Sequence, residues 1–229
     1  DIRSWAMVAG LSVLWGGSFF FVEVAIRDLP PFTVVLSRLV LASLTLWFCL
    51  KIFSLALPTG WRAWGLFAFL GLINNAIPFS LFVWAQTHIT SGLASILNAT
   101  TPLFAVILAH FFSAGEPLKA HRFIGVLIGV FGVSVMIGVD ALSDLGVSVW
   151  AQFACLGAAF AYAVSGVVGK RAQSLRLHPI SIATGQLTCA CFWIAPLVIF
   201  IDQPWNLPAP RSSTLAALIG LATLSTALA

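Results

Sequence analysis

The chain has 229 residues, of which 60% are hydrophobic and 8% charged, with a formal net charge of +4. A soluble domain carries about 25% charged residues, so this composition excludes an ordinary water-soluble enzyme and a disordered tail. No basic stripe is present to track phosphates, which excludes a nucleic-acid partner.

Eight apolar segments follow one another along the chain. They are Trp5–Ile26, Pro31–Leu50, Ala63–Trp84, Gly92–Phe112, Phe123–Val139, Val147–Gly169, Ile180–Ile201 and a run from Thr214 to the end. A bilayer core needs about 20 apolar residues in a helix. The segments lack the alternation of barrel strands, so each predicts a membrane-spanning helix and an all-α, polytopic fold. The first segment is too long for a signal-peptide core and has no small-residue cleavage site after it. The last one stops without a flanking charge, Pro or aromatic residue, which is read as a chain cut inside its eighth helix. Cys49, Cys155, Cys189 and Cys191 lie within apolar runs with no metal-ligand spacing. They are expected to pack, and neither a disulfide, a metal nor a cofactor is expected.

The basic residues orient the helices. Arg3, Lys51, Arg62, Lys119, Arg122, Lys170, Arg171 and Arg176 fall on one side; Arg27 and Arg211 fall on the other. By the positive-inside rule the N-terminus is cytoplasmic, in a bacterial inner membrane.

The sixth span repeats the first. Trp15-Gly16-Gly17-Ser18 aligns with Tyr162-Ala163-Val164-Ser165 at an offset of 147. Pro31-Phe32-Thr33 then aligns with Pro179-Ile180-Ser181 at 148, and Leu70-Gly71-Leu72 with Ile219-Gly220-Leu221 at 149. A repeat of five helices, an odd number, sets its second copy upside down in the membrane. Residues 1–139 are then the first repeat and 147–229 a partial second one. Inverted repeats are common in secondary transporters, with the substrate site near the midplane.

Several polar groups fall inside the spans. Glu23 and Arg38 lie at similar depth from one side. They form either a structural ion pair or a gate in which Arg38 anchors a carboxylate-bearing substrate. Asn74 and Asn75 precede Pro78, whose ring removes one helix hydrogen bond and frees the carbonyl of Asn74. The amides either line a cavity or bridge helices. Asn98, Thr100, Thr101 and Pro102 make a second polar break. Trp15, Ser18, Tyr162 and Ser165 fall near mid-membrane, where they line a pocket or simply pack. His110 reads as a packed or interfacial side chain. Gly157, Ala161, Ser165 and Gly169 in the sixth span, and Gly125 with Gly129 in the fifth, are spaced for close helix packing.

The segment His88–Gly138, with Pro102, Glu116, Gly125, Gly129 and Gly132, resembles the signature of the drug/metabolite transporter superfamily, EamA type. Trp15–Phe20 and Arg38 also fit that pattern. The resemblance implies ten helices in two inverted five-helix repeats that export or exchange small organic metabolites, amino acids among them. The functional expectation is therefore a secondary carrier with a small-molecule substrate, a lipid bilayer as its environment and no catalytic residues. Two rivals stand beside it. One is an intramembrane enzyme: Ala163-Val164-Ser165-Gly166 is close to a serine-protease motif, but its first Gly is missing and no later visible span supplies a His. The other is a non-transporting scaffold or sensor.

Overall fold

The computed structural model describes residues 2–112, 124–125, 127–129, 131–132, 135, 148–173 and 177–228. Among these the structure is helical, without strands: α1 (Ile2–Ala25), α2 (Pro31–Ile52), α3 (Trp61–Gly71), α4 (Ile77–Gln86), α5 (Ser91–Asn98), α6 (Thr101–Phe112), α7 (Val149–Gln173), α8 (Pro179–Leu197) and α9 (Ser212–Ala222). Six helical stretches are long and apolar enough to cross a membrane, with Ser212–Ala227 a shorter apolar helix. Most of the predicted fifth span, Phe123–Val139, lies outside the described residues.

Two of the stretches are compound, for reasons visible in the sequence. A π-turn, Leu72–Ala76, joins α3 to α4, and the N–H of Ile77 reaches back to the carbonyl of Leu72. Pro78 follows at once and has no N–H to give, so the regular ladder cannot hold there. Between α5 and α6 the helix breaks at Ala99–Thr100. Thr100 and Thr101 turn their hydroxyls onto the carbonyls of Leu97 and Asn98. Pro102 then sits in the first turn of α6, where its missing N–H costs least.

α2 and α8 lie side by side and run in opposite directions. Thr33, at the start of α2, meets Asp202 just beyond α8. In mid-helix, Ser43 meets Thr188 at 3.0 Å. Ser181, at the start of α8, donates to the carbonyl of Ala56 just beyond α2. The hydroxyl of Thr188 already donates to the Thr184 carbonyl. Ser43 is therefore the donor of the central bond, and Trp47 Nε1 donates to the same oxygen at 3.1 Å. Around these bonds Val34, Val35, Leu39, Ala42 and Leu46 of α2 share one buried cluster with Leu187, Ala190 and Ile194 of α8. Lipid tails are as apolar as these side chains, so close packing and interhelical hydrogen bonds hold the seam.

The other contacts fall into place around it. α3 packs on α8, and α9 packs on α2 and α1. α7 packs on α4, α5 and α6. The start of α5 meets the end of α1 through Ser91 and Glu23. Ser148, just before α7, donates to the carbonyl of His88, just before α5. Phe104 and Phe160 meet further along, with ring centroids 5.7 Å apart. α7 thus runs alongside α5–α6 and opposite to α1.

The glycines that set helix spacing differ from those expected. A Cβ on Gly125, Gly129 or Gly169 would meet nothing within 4 Å, and one on Gly157 only Leu81 at 3.7 Å. Among the described residues, those buried in α7 are Ala151, Gln152, Cys155, Ala158, Ala159, Ala163 and, of the expected stripe, Ser165 alone. The close approaches are at Gly71, Gly185 and Gly220. A Cβ on Gly71 would lie 2.5 Å from the Gln186 carbonyl oxygen and 3.0 Å from the Ala190 nitrogen. One on Gly220 would lie 2.8 Å from the Phe21 ring. Small residues every four positions mark a candidate face, but the partner helix selects which face is used.

Gly71 faces backbone, which cannot swing aside as a side chain can. Gly71→Ala is expected to destabilise the detergent-solubilised protein by about 1–3 kcal/mol. Gly65→Ala, with open space around its Cβ, should leave thermal unfolding unchanged or raise its midpoint slightly.

Candidate functional site

Arg38 is a cation inside a membrane-spanning helix, and the structure gives it neutral partners. It is 7% exposed. Its Nε donates to Thr226 Oγ1 at 2.7 Å. Its guanidinium carbon stands 3.6 Å from the centroid of the Phe79 ring. Thr226 lies in a π-turn, Thr223–Ala227, that follows α9. Its own hydroxyl donates to the Leu221 carbonyl five residues back. A π-turn frees such carbonyls. Thr226 is thereby fixed as an acceptor, and Arg38 uses it.

The expected pairing of Glu23 with Arg38 does not form. Glu23 accepts from the Ser91 hydroxyl at 2.5 Å and pairs with Arg27 one turn along, at 3.7 Å. Similar depth along two helices left their facing undetermined. Glu23 faces the start of α5, whereas Arg38 faces α4 and the end of α9.

A second polar set joins the third span to the sixth. Ser165 Oγ lies 2.7 Å from Asn74 Oδ1 and 2.7 Å from the Tyr162 carbonyl. One hydroxyl proton cannot serve two acceptors. With the Asn74 amide turned over, its NH2 donates to Ser165 and both contacts are satisfied. Tyr162 stacks on Phe82, with centroids 6.1 Å apart. Asn75 is buried, and its Nδ2 has no hydrogen-bond partner. Pro78 is fully buried.

The remaining predicted residues stand apart from these two sets. Trp15 is 57% exposed on α1. The buried residues of that helix, Val22 and Ala25, lie at its far end. Ser18 is half-buried. Asn98 is spent on the helix break, its Oδ1 lying 3.3 Å from the Thr101 hydroxyl. His110 is exposed on α6. A surface hollow lined by Trp47, Phe48, Leu50, Lys51, Ser54, Leu55 and Leu57 lies at the end of α2. It contains none of the predicted site residues. Among the described residues no cluster of His, Cys, Asp and Glu is placed to hold a metal.

Sequence reasoning passed over a set of carboxylates that hold helix starts. α2 begins at Pro30–Pro31 and α9 after Arg211, and neither start has a capping side chain of its own. The caps come from other helices. Asp202 accepts from the Thr33 N–H at 2.6 Å and its hydroxyl at 2.9 Å. Asp28 accepts from the Arg211 N–H and guanidinium and from the Thr214 hydroxyl. Glu23 accepts from the Ser91 hydroxyl at the start of α5, a helix that Thr90 caps with its own side chain. All three stand on one face of the bundle, and a carboxylate beside a helix N-terminus is favoured by its dipole. The signal was available: two helix starts without Ser, Thr, Asp or Asn at the cap, and two acids in loops that meet them.

Comparison with known proteins places this geometry in context. The model of the EamA-like transporter family matches residues 3–138. The transporter YoaV of Bacillus subtilis is 22% identical over 71% of this chain and 56% of its own length. The inner membrane transporter YedA of Escherichia coli is 25% identical over 70% of this chain and 51% of its own. A probable terminal-alkyne amino-acid exporter of Streptantibioticus cattleyicolor is 27% identical over 66% of this chain and 50% of its own. The chain thus spans about half the length of the curated relatives it matches. A solved crystal structure, 19% identical, superposes on 99% of this chain and 77% of its own with a TM-score of 0.72, which establishes a shared fold.

The Asp28 clasp has a pH signature. Hydrogen bonds from Arg211 and then Thr214 hold its carboxyl well below the usual carboxylate range. A carboxyl depressed in the folded state stabilises fully above its unfolded pKa of about 3.9 and loses that contribution as pH falls below it. Thermal unfolding of the solubilised protein is expected to fall more steeply on acidification below about pH 4 than that of Asp28→Asn; parallel curves would contradict the assignment.

Proposed function

Because the chain belongs to the EamA-like transporter family, matched across residues 3–138, we propose that it works as a secondary carrier of small organic metabolites by alternating access. The observation that carries this reading is the antiparallel α2–α8 seam, with equivalent contacts on either side of it. α3 packs on α8 as α9 packs on α2. Gly71 and Gly220, at an offset of 149, each make a close approach, Gly71 to the α8 backbone and Gly220 to the Phe21 ring of α1. Thr33 and Ser181, at an offset of 148, each reach past the end of the facing helix. π-turns interrupt the third and eighth spans at Leu72–Ala76 and Thr223–Ala227. A five-helix repeat at 1–139 and a partial copy of opposite orientation at 147–229 would generate this pattern.

In such a carrier the substrate sits between the halves near mid-membrane. Binding in both conformations, with different affinity, shifts their populations and exposes the solute to alternate sides. The bias of the basic residues supports a cytoplasmic N-terminus in a bacterial inner membrane. Amino acids belong among the candidate solutes, as the named activity of one relative suggests. Neither rival reading fits as well, since the matched family and relatives are transporters. Ser165, the serine of the protease-like motif, is bonded to Asn74 rather than to a base.

Reconstituted in liposomes preloaded with unlabelled solute, the protein at the ten-helix length its family implies should show transient counterflow for at least one member of a panel of amino acids and amines. A flat trace for every solute, equal to protein-free liposomes, would refute the carrier and favour a scaffold.

A further inference from the structure

We propose that the solute carries a carboxylate and that Arg38 is its anchor. The inference rests on the carrier reading above and adds the chemical class of the substrate. A guanidinium has five N–H donors in a planar fork. One, on Nε, is taken by Thr226, and one π-face is covered by Phe79. The Nη1 and Nη2 edge, with four donors, bonds to no described residue. No carboxylate among the described residues pairs with it. The acids among the described residues are engaged elsewhere: Glu23 by Ser91 and Arg27, Asp28 by Arg211 and Thr214, Asp202 by Thr33. A cation that is 7% exposed inside a bilayer is costly unless an anion meets it. A hydroxyl and an aromatic face solvate it without neutralising it. The free edge is the one suited to take a carboxylate through two parallel hydrogen bonds.

Two orphaned polar groups adjoin the partners of Arg38 in the chain. Ser225, beside Thr226, is 5% exposed with an unpartnered hydroxyl. Asn75, one turn before Phe79, is 4% exposed with an unpartnered amide nitrogen. Asn75, at i and i+4 with Phe79 on one helix face, offers an amide donor suited to a carboxylate, and the Ser225 hydroxyl is an unused acceptor suited to an ammonium group. An α-amino acid presents both functions on adjacent atoms.

The test compares matched solutes in counterflow. Alanine, leucine and phenylalanine compete against their own amides, with phosphate and chloride as inorganic competitors. In wild-type protein each acid should compete at least about tenfold better than its amide, a difference of one charge-assisted hydrogen bond. Inorganic anions should compete weakly. Arg38→Gln should erase the preference for acid over amide, and Arg38→Lys should retain part of it. Should Arg38→Gln fail to fold, wild-type selectivity and Arg38→Lys still decide. Equal competition by acids and amides, or by chloride and phosphate, overturns the carboxylate anchor while the counterflow itself upholds the carrier. Selectivity that persists in Arg38→Gln assigns Arg38 to the fold alone. Absence of counterflow with every solute fails the carrier, and the anchor with it.

Discussion

A helix surrounded by lipid gains nothing from burying apolar side chains against another apolar helix. Partners are therefore chosen by how closely backbones fit and by which polar groups must meet. In this chain both criteria converge on the contact of α2 with α8. Hydroxyls join the two helices at three levels: Thr33 with Asp202, Ser43 with Thr188, and Ser181 with the Ala56 carbonyl. Residue numbers rise along one helix as they fall along the other. That contact fixes where α3 and α9 dock, one on each side of the seam. It also sets α9 where its closing π-turn presents Thr226 to Arg38.

The same constraint explains the ends of the helices. Four N–H groups at each helix start lack an internal partner. Pro30, Pro31 and Arg211 offer no side-chain cap for α2 and α9. Asp202 and Asp28 supply the missing acceptors across the bundle, so capping becomes tertiary contact. Glu23 ties Ser91 through its hydroxyl, where Thr90 already caps the helix. One face is thus laced by carboxylates that join α1 to α5, α8 to α2 and the α1–α2 link to α9. Two of these acids also make ion pairs, Glu23 with Arg27 and Asp28 with Arg211.

Much of the architecture was legible in the chain. Apolar length located the spans, and Pro78 and Pro102 located the interruptions in the third and fourth. The Leu70–Leu72 and Ile219–Leu221 alignment drew attention to Gly71 and Gly220, both of which proved to be close-approach positions. Individual partners were less legible. Depth along a helix is readable from residue number, but rotation about its axis is not when apolar residues surround it, as on α1. Glu23 and Arg38 were accordingly placed at one level and wrongly paired. The same ambiguity put the packing face of α7 on Gly157 and Gly169 rather than on Ala151, Cys155 and Ala158. Thr226 was hidden for another reason: its role depends on a π-turn that no proline announces.

The relative direction of α2 and α8 can be measured by disulfide trapping in native membranes, in a background without Cys49, Cys155, Cys189 and Cys191. With α2 and α8 antiparallel, Thr33→Cys cross-links to Asp202→Cys and Ala56→Cys to Ser181→Cys. Efficient cross-links between positions 33 and 181 and between 56 and 202, with none in the predicted pairs, would mean the two helices run in the same direction and would contradict that arrangement.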